Sequence, residues 1–458
     1  MTRIIIIWVL ILSFNVSFAT INGGNTKIQQ KQPDYQQSKA QIWKFDFGKG
    51  KVNEGFTSIT DESLYSEKTG YGIIPFGDIK AFKQNGLEEA TNDGLSSDAP
   101  FYFQLDVPEG RYKITLALGN SKEESAITVK AESRRLMLEN IKINKGDIVI
   151  KTIVVDVRFP QINDTESIRL KSRELPYKNW DKSLNLEFNG KNPSVRSIQI
   201  EKADELPVIF LAGNSTVTDQ DYEPWASWGQ MFTRFLKPEI VVANFAESGE
   251  TLKAFRGENR LKKILSVMKP GDYLFIEFAH NDQKPGSSHV EPFTSYQEEL
   301  RYYMNEAKKK GGKTVFVTST NRRKFDDEGK IVNTLEEYPD AMRQLAAKEN
   351  IPLIDLNAMS KDFYEALGIE GSKNAFVHYP ANTFPNQEEP LADNTHFNAY
   401  GAYELAKCVV QGILEQNLDL TKYVVNDFGK FNPSKPDTFK NFFWPDSPFA
   451  EIKKPDGN

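Results

Sequence analysis

The chain has a single cysteine, Cys408, among 458 residues, so no intrachain disulfide can form and the fold must be held by its apolar core. Histidine is nearly as scarce. His280, His289, His378 and His396 are the only four, and all fall in the second half, which confines imidazole-dependent chemistry to that part of the chain. No long basic run occurs, and 57 Lys and Arg against 63 Asp and Glu leave a net charge of −6. That balance argues against a nucleic-acid partner, which needs clustered cations to replace phosphate counterions. Beyond the first nineteen residues no apolar stretch approaches the ~20 residues that cross a bilayer, so no membrane span is expected. With 39% hydrophobic residues the chain is neither collagen-like nor wholly disordered, and its length fits two or three domains.

The sequence divides by its hydrophobic period. Residues 1–19 carry Arg3, the apolar run Ile4 to Leu12, and Ser17-Phe18-Ala19 ahead of a cut after Ala19, the pattern of a secretory signal peptide. A bacterial periplasmic or secreted location follows as an expectation. Residues 20–40, polar and without apolar spacing, read as a flexible leader. Over 41–205, short alternating runs such as Phe101 to Leu105, Tyr112 to Leu116 and Ile148 to Val155 predict an all-β sandwich. Over 206–424 the grammar changes. Continuous apolar strands, Val208 to Ala212, Ile240 to Phe245, Tyr273 to Ala279, Thr314 to Thr318 and Ile351 to Leu356, alternate with helical patterns at Trp225 to Leu236, Asn259 to Met268, Ser295 to Lys310, Leu335 to Glu349 and Ala399 to Gln416. Strands buried on both faces and separated by helices predict a three-layer α/β domain with a parallel sheet. The tail 425–458, with Phe442, Phe443 and Trp444, is expected to pack on a domain.

Ligands of an open parallel sheet bind beyond the carboxyl ends of its strands. There the sequence places Gly213-Asn214-Ser215-Thr216, Ala246-Glu247-Ser248-Gly249 and His280-Asn281-Asp282, and Asp393-Asn394-Thr395-His396 stands before the last helix. A serine hydroxyl attacks only when an imidazole takes its proton, and the imidazole needs an acceptor on its other nitrogen. Ser215, His396 and Asp393 are the catalytic candidates, with Asp393 and His396 presented from one short loop. Negative charge developing on an attacked carbonyl needs donors already in place, for which the backbone amides of Ser215 and Gly249 and the Asn281 side chain are the candidates. Each block alone has a plainer reading: a helix N-cap at Ser215, a loop cap at Asn281-Asp282, a turn at Asp393. Their joint placement at successive strand ends favours chemistry. His280 is expected to support the Asn281 loop, and His289 and His378 to be exposed and inert.

In order and content these blocks resemble the SGNH (GDSL-type) hydrolases, and within them the rhamnogalacturonan acetylesterase branch, carbohydrate esterase family 12. The resemblance covers about Val208 to Gln416. It implies a flavodoxin-like α/β/α fold and an O-acetylesterase activity that needs no cofactor and no metal. It also implies Ser215 as nucleophile, His396 as base and Asp393 as its orienter, with Gly249, Asn281 and the Ser215 amide as oxyanion donors. The preceding sandwich is similar in position and strand character to galactose-binding-like domains. Asn214 stands where the family usually has Asp, and Ala279 where it often has Gly.

The expected partner is acetylated plant cell-wall polysaccharide of the pectin type or its oligosaccharides. Rhamnogalacturonan is a polyanion, and Arg256, Arg260, Arg322 and Arg323 near the strand ends are candidates to meet its uronates, with Trp225 available to stack on a sugar ring. Two other readings compete: a non-catalytic carbohydrate-binding protein whose esterase domain has decayed, and a lipase or thioesterase of the same superfamily.

Overall fold

The protein's structure, a computed structural model, describes residues 42–84, 92–452 and 454–456. The expected signal peptide and leader lie outside the described residues. The alternating segments form two facing sheets. One runs in the order Val149–Val157, Gly110–Leu118, Ser194–Lys202, Ile42–Phe47 and Thr57–Ile59, and Asp93–Ser97 with Ile79–Lys83 joins it along Ser194–Lys202. The other runs Tyr71–Pro75, Phe101–Asp106, Ser183–Lys191, Ser125–Ala131 and Arg135–Ile143. All pairings are antiparallel except that of Ile42–Phe47 with Thr57–Ile59. Phe45, Phe103, Ile114, Val129, Leu186 and Ile198 fill the space between the sheets.

The second half is a five-stranded parallel sheet in the order Val241–Asn244, Val208–Gly213, Tyr273–Glu277, Lys313–Val317 and Leu353–Ile354. This is the flavodoxin-like order, whose reversal leaves a crevice at the carboxyl ends of the first and third strands. Side chains alternate across a strand, so Ile209 and Leu211 enter one core with Trp228, Leu405 and Val409. Val208, Phe210 and Ala212 enter the other with Leu261, Leu300 and Met342. Helices on both faces thus explain the unbroken apolar runs. The last helix, Ala399–Glu415, starts where the Asn398 side chain accepts from the Gly401 amide, and it buries Cys408.

Local differences from the sequence expectation have identifiable causes. The helix expected from Trp225 begins at Trp228, because the Ala226 amide is diverted to the Phe397 carbonyl. The helix Leu356–Gly371, capped by the Asp355 side chain, was not anticipated, since the expected strand Ile351 to Leu356 runs into it and shrinks to Leu353–Ile354. Asp393 and His396 lie within the strand Leu391–Phe397 rather than in a loop. Its antiparallel partner Phe376–Tyr379 matches Phe397 with Phe376 and Ala392 with His378, so residues 393–396 bulge out of the ladder.

The sandwich is wedged into the hydrolase fold. Leu136 sits in the core with Trp228 and Phe232, and Val154, Ile168 and Trp180 in the core of the opposite face. At the turn before Leu136 the Arg134 Nη1 donates to the Trp225 carbonyl at 2.9 Å, and Arg135 Nε donates to Asp219 Oδ2 at 2.8 Å. Both arginines are almost fully buried. Removing one partner of such a pair strands the other charge, at a cost of about 3–5 kcal/mol, whereas replacing both is far cheaper. Arg135→Met is therefore expected to lower unfolding free energy in urea by about that amount, and Arg135→Met with Asp219→Asn by clearly less.

Candidate active site

The turn that presents Ser215 is set by close packing at the end of the strand Val208–Gly213. A Cβ on Gly213 would lie 2.5 Å from Val217 Cγ2, so only glycine lets the chain fold back there. The amides of Val217 and Thr218 both donate to the Asn214 carbonyl at 3.0 Å. Asn214 Oδ1 accepts from the Thr216 amide at 3.1 Å and from Thr216 Oγ1 at 2.9 Å. Asn214 thus gives the turn the acceptor that an aspartate would give, while its Nδ2 finds no partner among the described residues.

His396 lies between the serine and the carboxylate. Its Nε2 is 2.9 Å from Ser215 Oγ and its Nδ1 is 2.7 Å from Asp393 Oδ2. The other carboxylate oxygen, Oδ1, accepts from the amides of Thr395 at 2.8 Å and His396 at 3.1 Å, which shapes the bulge. Burial by itself would raise the Asp393 carboxyl, but the hydrogen bond and charge of His396, with these two amides, hold it below its ordinary 3.8. An ionised Asp393 keeps the proton on Nδ1 and leaves Nε2 as the acceptor facing Ser215. Arranged so, the hydroxyl can lose its proton to the imidazole as it attacks an electrophilic carbon.

Two further segments close around the serine. The turn 247–250 carries Gly249 at φ +81°, a left-handed conformation suited to glycine. Asn281 Nδ2 donates to the Glu250 carbonyl at 3.0 Å, using one of its two N–H bonds and tying its loop to the Gly249 turn. His280 is buried behind it, and burial, with the positive charge of Arg322 beside it, keeps its ring well below the usual imidazole value. Asp282 Oδ1 caps the helix Leu252–Gly257 through the Leu252 amide at 2.9 Å. His289 bonds Glu291, and His378 Nε2 lies 2.9 Å from Asn394 Oδ1.

The residues expected to bind substrate are mostly engaged elsewhere. Arg260 is completely buried between Glu174 and Glu258, a structural ion pair with no path to a ligand, which corrects its expected role. Arg256 pairs with Glu299 at 2.9 Å and lies over the Tyr302 ring. Arg322 donates to the carbonyls of Thr334 and His280, and Arg323 to Ser372 Oγ and Asn394 Oδ1. A cavity of about 50 Å³ beside Ser248 is lined by Trp225, Gln220, Tyr177, Tyr222, Arg173 and Lys454, so of the five candidates Trp225 alone reaches it. Trp225 stands edge-on to His396, with ring centroids 5.9 Å apart, and its Nε1 donates to the Glu451 carbonyl.

Sequence reasoning missed several contributors. Gln220 Nε2 donates to the Ser215 carbonyl at 2.9 Å, while the Gln220 carbonyl accepts from Arg134 of the sandwich at 3.2 Å. Glu277 Oε1 lies 2.9 Å from Thr216 Oγ1 and Oε2 accepts from Trp228 Nε1, and burial pushes the carboxyl up to about 7 against those contacts. A lone glutamate closing the apolar run Tyr-Leu-Phe-Ile-Glu was the available signal for Glu277.

Ser215, His396 and Asp393 are buried in one hydrogen-bonded line at the carboxyl edge of this sheet. Residues 211–402 match the GDSL-like lipase/acylhydrolase family, and residues 43–148 match the galactose-binding domain-like module of beta-agarase/YXIM esterase-like proteins. The chain belongs to the GDSL-like lipase/acylhydrolase family and is a carboxylic-ester hydrolase. It is 44% identical over 224 residues to rhamnogalacturonan acetylesterase RhgT of Bacillus subtilis, a match covering 48% of this chain and 96% of that protein. It is also 25% identical over 421 residues to the uncharacterized esterase YxiM of Bacillus subtilis, covering 86% of this chain and 95% of that one. The crystal structure of YxiM aligns at 24% identity and a TM-score of 0.44, over 83% of this chain and 99% of its own.

Two outcomes are expected from the site. Ser215→Ala lowers acetate release from p-nitrophenyl acetate by on the order of 10⁴ or more while the thermal transition stays in place. The Asp393 carboxyl is depressed in the fold, so the stability it contributes is complete above 3.8 and is lost as pH falls through its lower folded value. Urea titrations between about pH 5 and pH 2 check this, and Asp393→Asn should flatten that part of the profile.

Proposed function

We propose that the protein is an exported carbohydrate O-acetylesterase that removes acetyl groups from pectin-type polysaccharide, rhamnogalacturonan in particular. The observation that carries the reading is the line Ser215 Oγ, His396 Nε2, His396 Nδ1, Asp393 Oδ2, with steps of 2.9 and 2.7 Å. Ser215 Oγ attacks the acetyl carbonyl carbon as His396 Nε2 takes its proton. The carbonyl oxygen becomes an oxyanion, held by the backbone amides of Ser215 and Gly249 and by the remaining N–H of Asn281. Collapse expels the sugar oxygen, which takes the proton from His396, and leaves acetyl-Ser215. Water, deprotonated by His396, then attacks the acetyl-enzyme, releasing acetate and restoring Ser215. Asp393 holds the imidazole and balances its charge while it carries two protons.

A short acyl group is favoured because the relatives this chain matches over 48% of its length are named acetylesterases. The relatives named rhamnogalacturonan acetylesterase support a carbohydrate as the alcohol side of the ester. Export rests on Arg3, the run Ile4 to Leu12 and Ser17-Phe18-Ala19.

Acetate release from acetylated rhamnogalacturonan, homogalacturonan and xylan, measured side by side, tests the reading. The expected order puts rhamnogalacturonan first, with p-nitrophenyl palmitate turned over at least about tenfold more slowly than p-nitrophenyl acetate. Preference for the palmitate overturns the reading in favour of a lipase.

A further inference from the structure

The cavity beside Ser248 contains a carboxylate from the chain itself. Residues 449–452 and 454–456 lie beside the site: the Glu223 amide donates to the Phe449 carbonyl, the Glu451 amide to the Glu223 carbonyl, and Trp225 Nε1 to the Glu451 carbonyl. They bring Lys454 Nζ within 3.6 Å of Asp393 Oδ2 and the Asp456 carboxylate onto Arg173 Nη1. Asp456 stands directly over the Gly249 turn, where a Cβ on Gly249 would lie 3.3 Å from Asp456 Cβ.

Arg173 does not belong to the hydrolase sequence. It comes from the short helix Ser172–Glu174, between the strands Val149–Val157 and Ser183–Lys191 of the sandwich. Its guanidinium is aimed by the hydrolase domain: Nη2 donates to Glu247 Oε1 at 2.8 Å and to the Ser248 carbonyl at 2.6 Å, and Nε to the same Glu247 oxygen at 3.2 Å. With Nε and Nη2 held, Nη1 is left facing the cavity, preorganised for a carboxylate. Lys171, two residues earlier, donates to the same Ser248 carbonyl at 2.8 Å and is ion-paired with the buried Glu250, so the Nη1 edge of the Arg173 guanidinium is the group that faces the cavity.

We propose that Arg173 is a specificity-determining residue that receives a uronate carboxylate of the acetylated polysaccharide, in the place that Asp456 fills in the structure. The inference rests on the acetylesterase reading above and adds its acidic-sugar subsite. Binding of the polymer then displaces Asp456 from Arg173, and the sandwich acts in substrate selection through this one side chain. A neutral acetyl ester does not use the subsite.

The test uses the full chain in three forms, wild type, Arg173→Gln and Asp456→Asn, with acetylated uronate-containing oligosaccharides, acetylated xylo-oligosaccharides and p-nitrophenyl acetate. Arg173→Gln is expected to raise KM for the uronate substrate about tenfold or more relative to its effect on the KM of the two neutral esters, whatever common change in kcat the Gly249 turn suffers. Asp456→Asn is expected to lower the uronate KM about twofold to fivefold and to leave the neutral esters unchanged. Unacetylated uronate oligosaccharide should inhibit p-nitrophenyl acetate hydrolysis in wild type and about tenfold more weakly in Arg173→Gln. This inhibition still tests Arg173 if no acetylated polysaccharide is turned over, a result that would count against the substrate reading alone. Losses in Arg173→Gln that are equal for neutral and uronate esters overturn the proposal and leave Arg173 a support of the Glu247 turn. If Arg173→Gln does not fold, an unchanged uronate KM and inhibition constant in Asp456→Asn overturn it.

Discussion

The Asp219 carboxylate is the constraint on which the site depends. It is buried, and it is divided between two partners: one oxygen accepts from Arg135 of the sandwich and the other from Asn244 Nδ2, at the end of the strand Val241–Asn244. The same Asn244 Nδ2 donates to the Val217 carbonyl, and the Asn244 carbonyl accepts from Arg158. One carboxylate therefore ties the Ser215 turn, the neighbouring strand and the sandwich into a single arrangement. A buried charge without its partners is costly, so this arrangement resists partial rearrangement. The position of Ser215 relative to His396 is consequently a property of both domains.

The pattern is repeated around the cleft. Arg134 supports the Gln220 and Trp225 carbonyls, Lys130 joins Glu187 to Ser447, and Arg260 joins Glu174 to Glu258. Each pair links chain segments that no short-range pattern connects. The sandwich thus has a physical role in the enzyme even where it touches no reacting atom, which explains its shared cores with the hydrolase domain. The segment after residue 440 is drawn in by the same means: Phe442 packs on Tyr400 and Tyr403, Trp444 Nε1 donates to Glu223, and Phe449 meets Phe76 and Tyr102 of the sandwich.

Much of the fold was legible because its signals are local. Val208 to Gly213 reads as a doubly buried strand from its own residues, and the alternation in Phe101 to Asp106 reads as a half-buried one. The polar blocks at the strand ends were legible for the same reason, since in a parallel sheet every carboxyl end lies on one edge. Legibility failed where the decisive partner is distant in the chain. Arg260 looked like a substrate ligand from its place at a helix start, yet Glu174 claims it from 86 positions away. The helix expected at Trp225 gave way to a bridge with Phe397, and the loop expected around Asp393 became a bulged strand against Phe376–Tyr379.

By itself the sequence determined the two hydrophobic periods, hence a sandwich followed by a parallel α/β sheet, and it placed a serine, an amide and a histidine where the edge of that sheet would gather them. Those properties follow from side-chain alternation and chain polarity, which a few neighbouring residues express. The tertiary structure alone decided which charges are buried and which face the cleft, and that Arg173 and Asp456 meet across 283 positions above the Gly249 turn. Electrostatic partnership depends on distance and desolvation in three dimensions, and neither has a period along the chain.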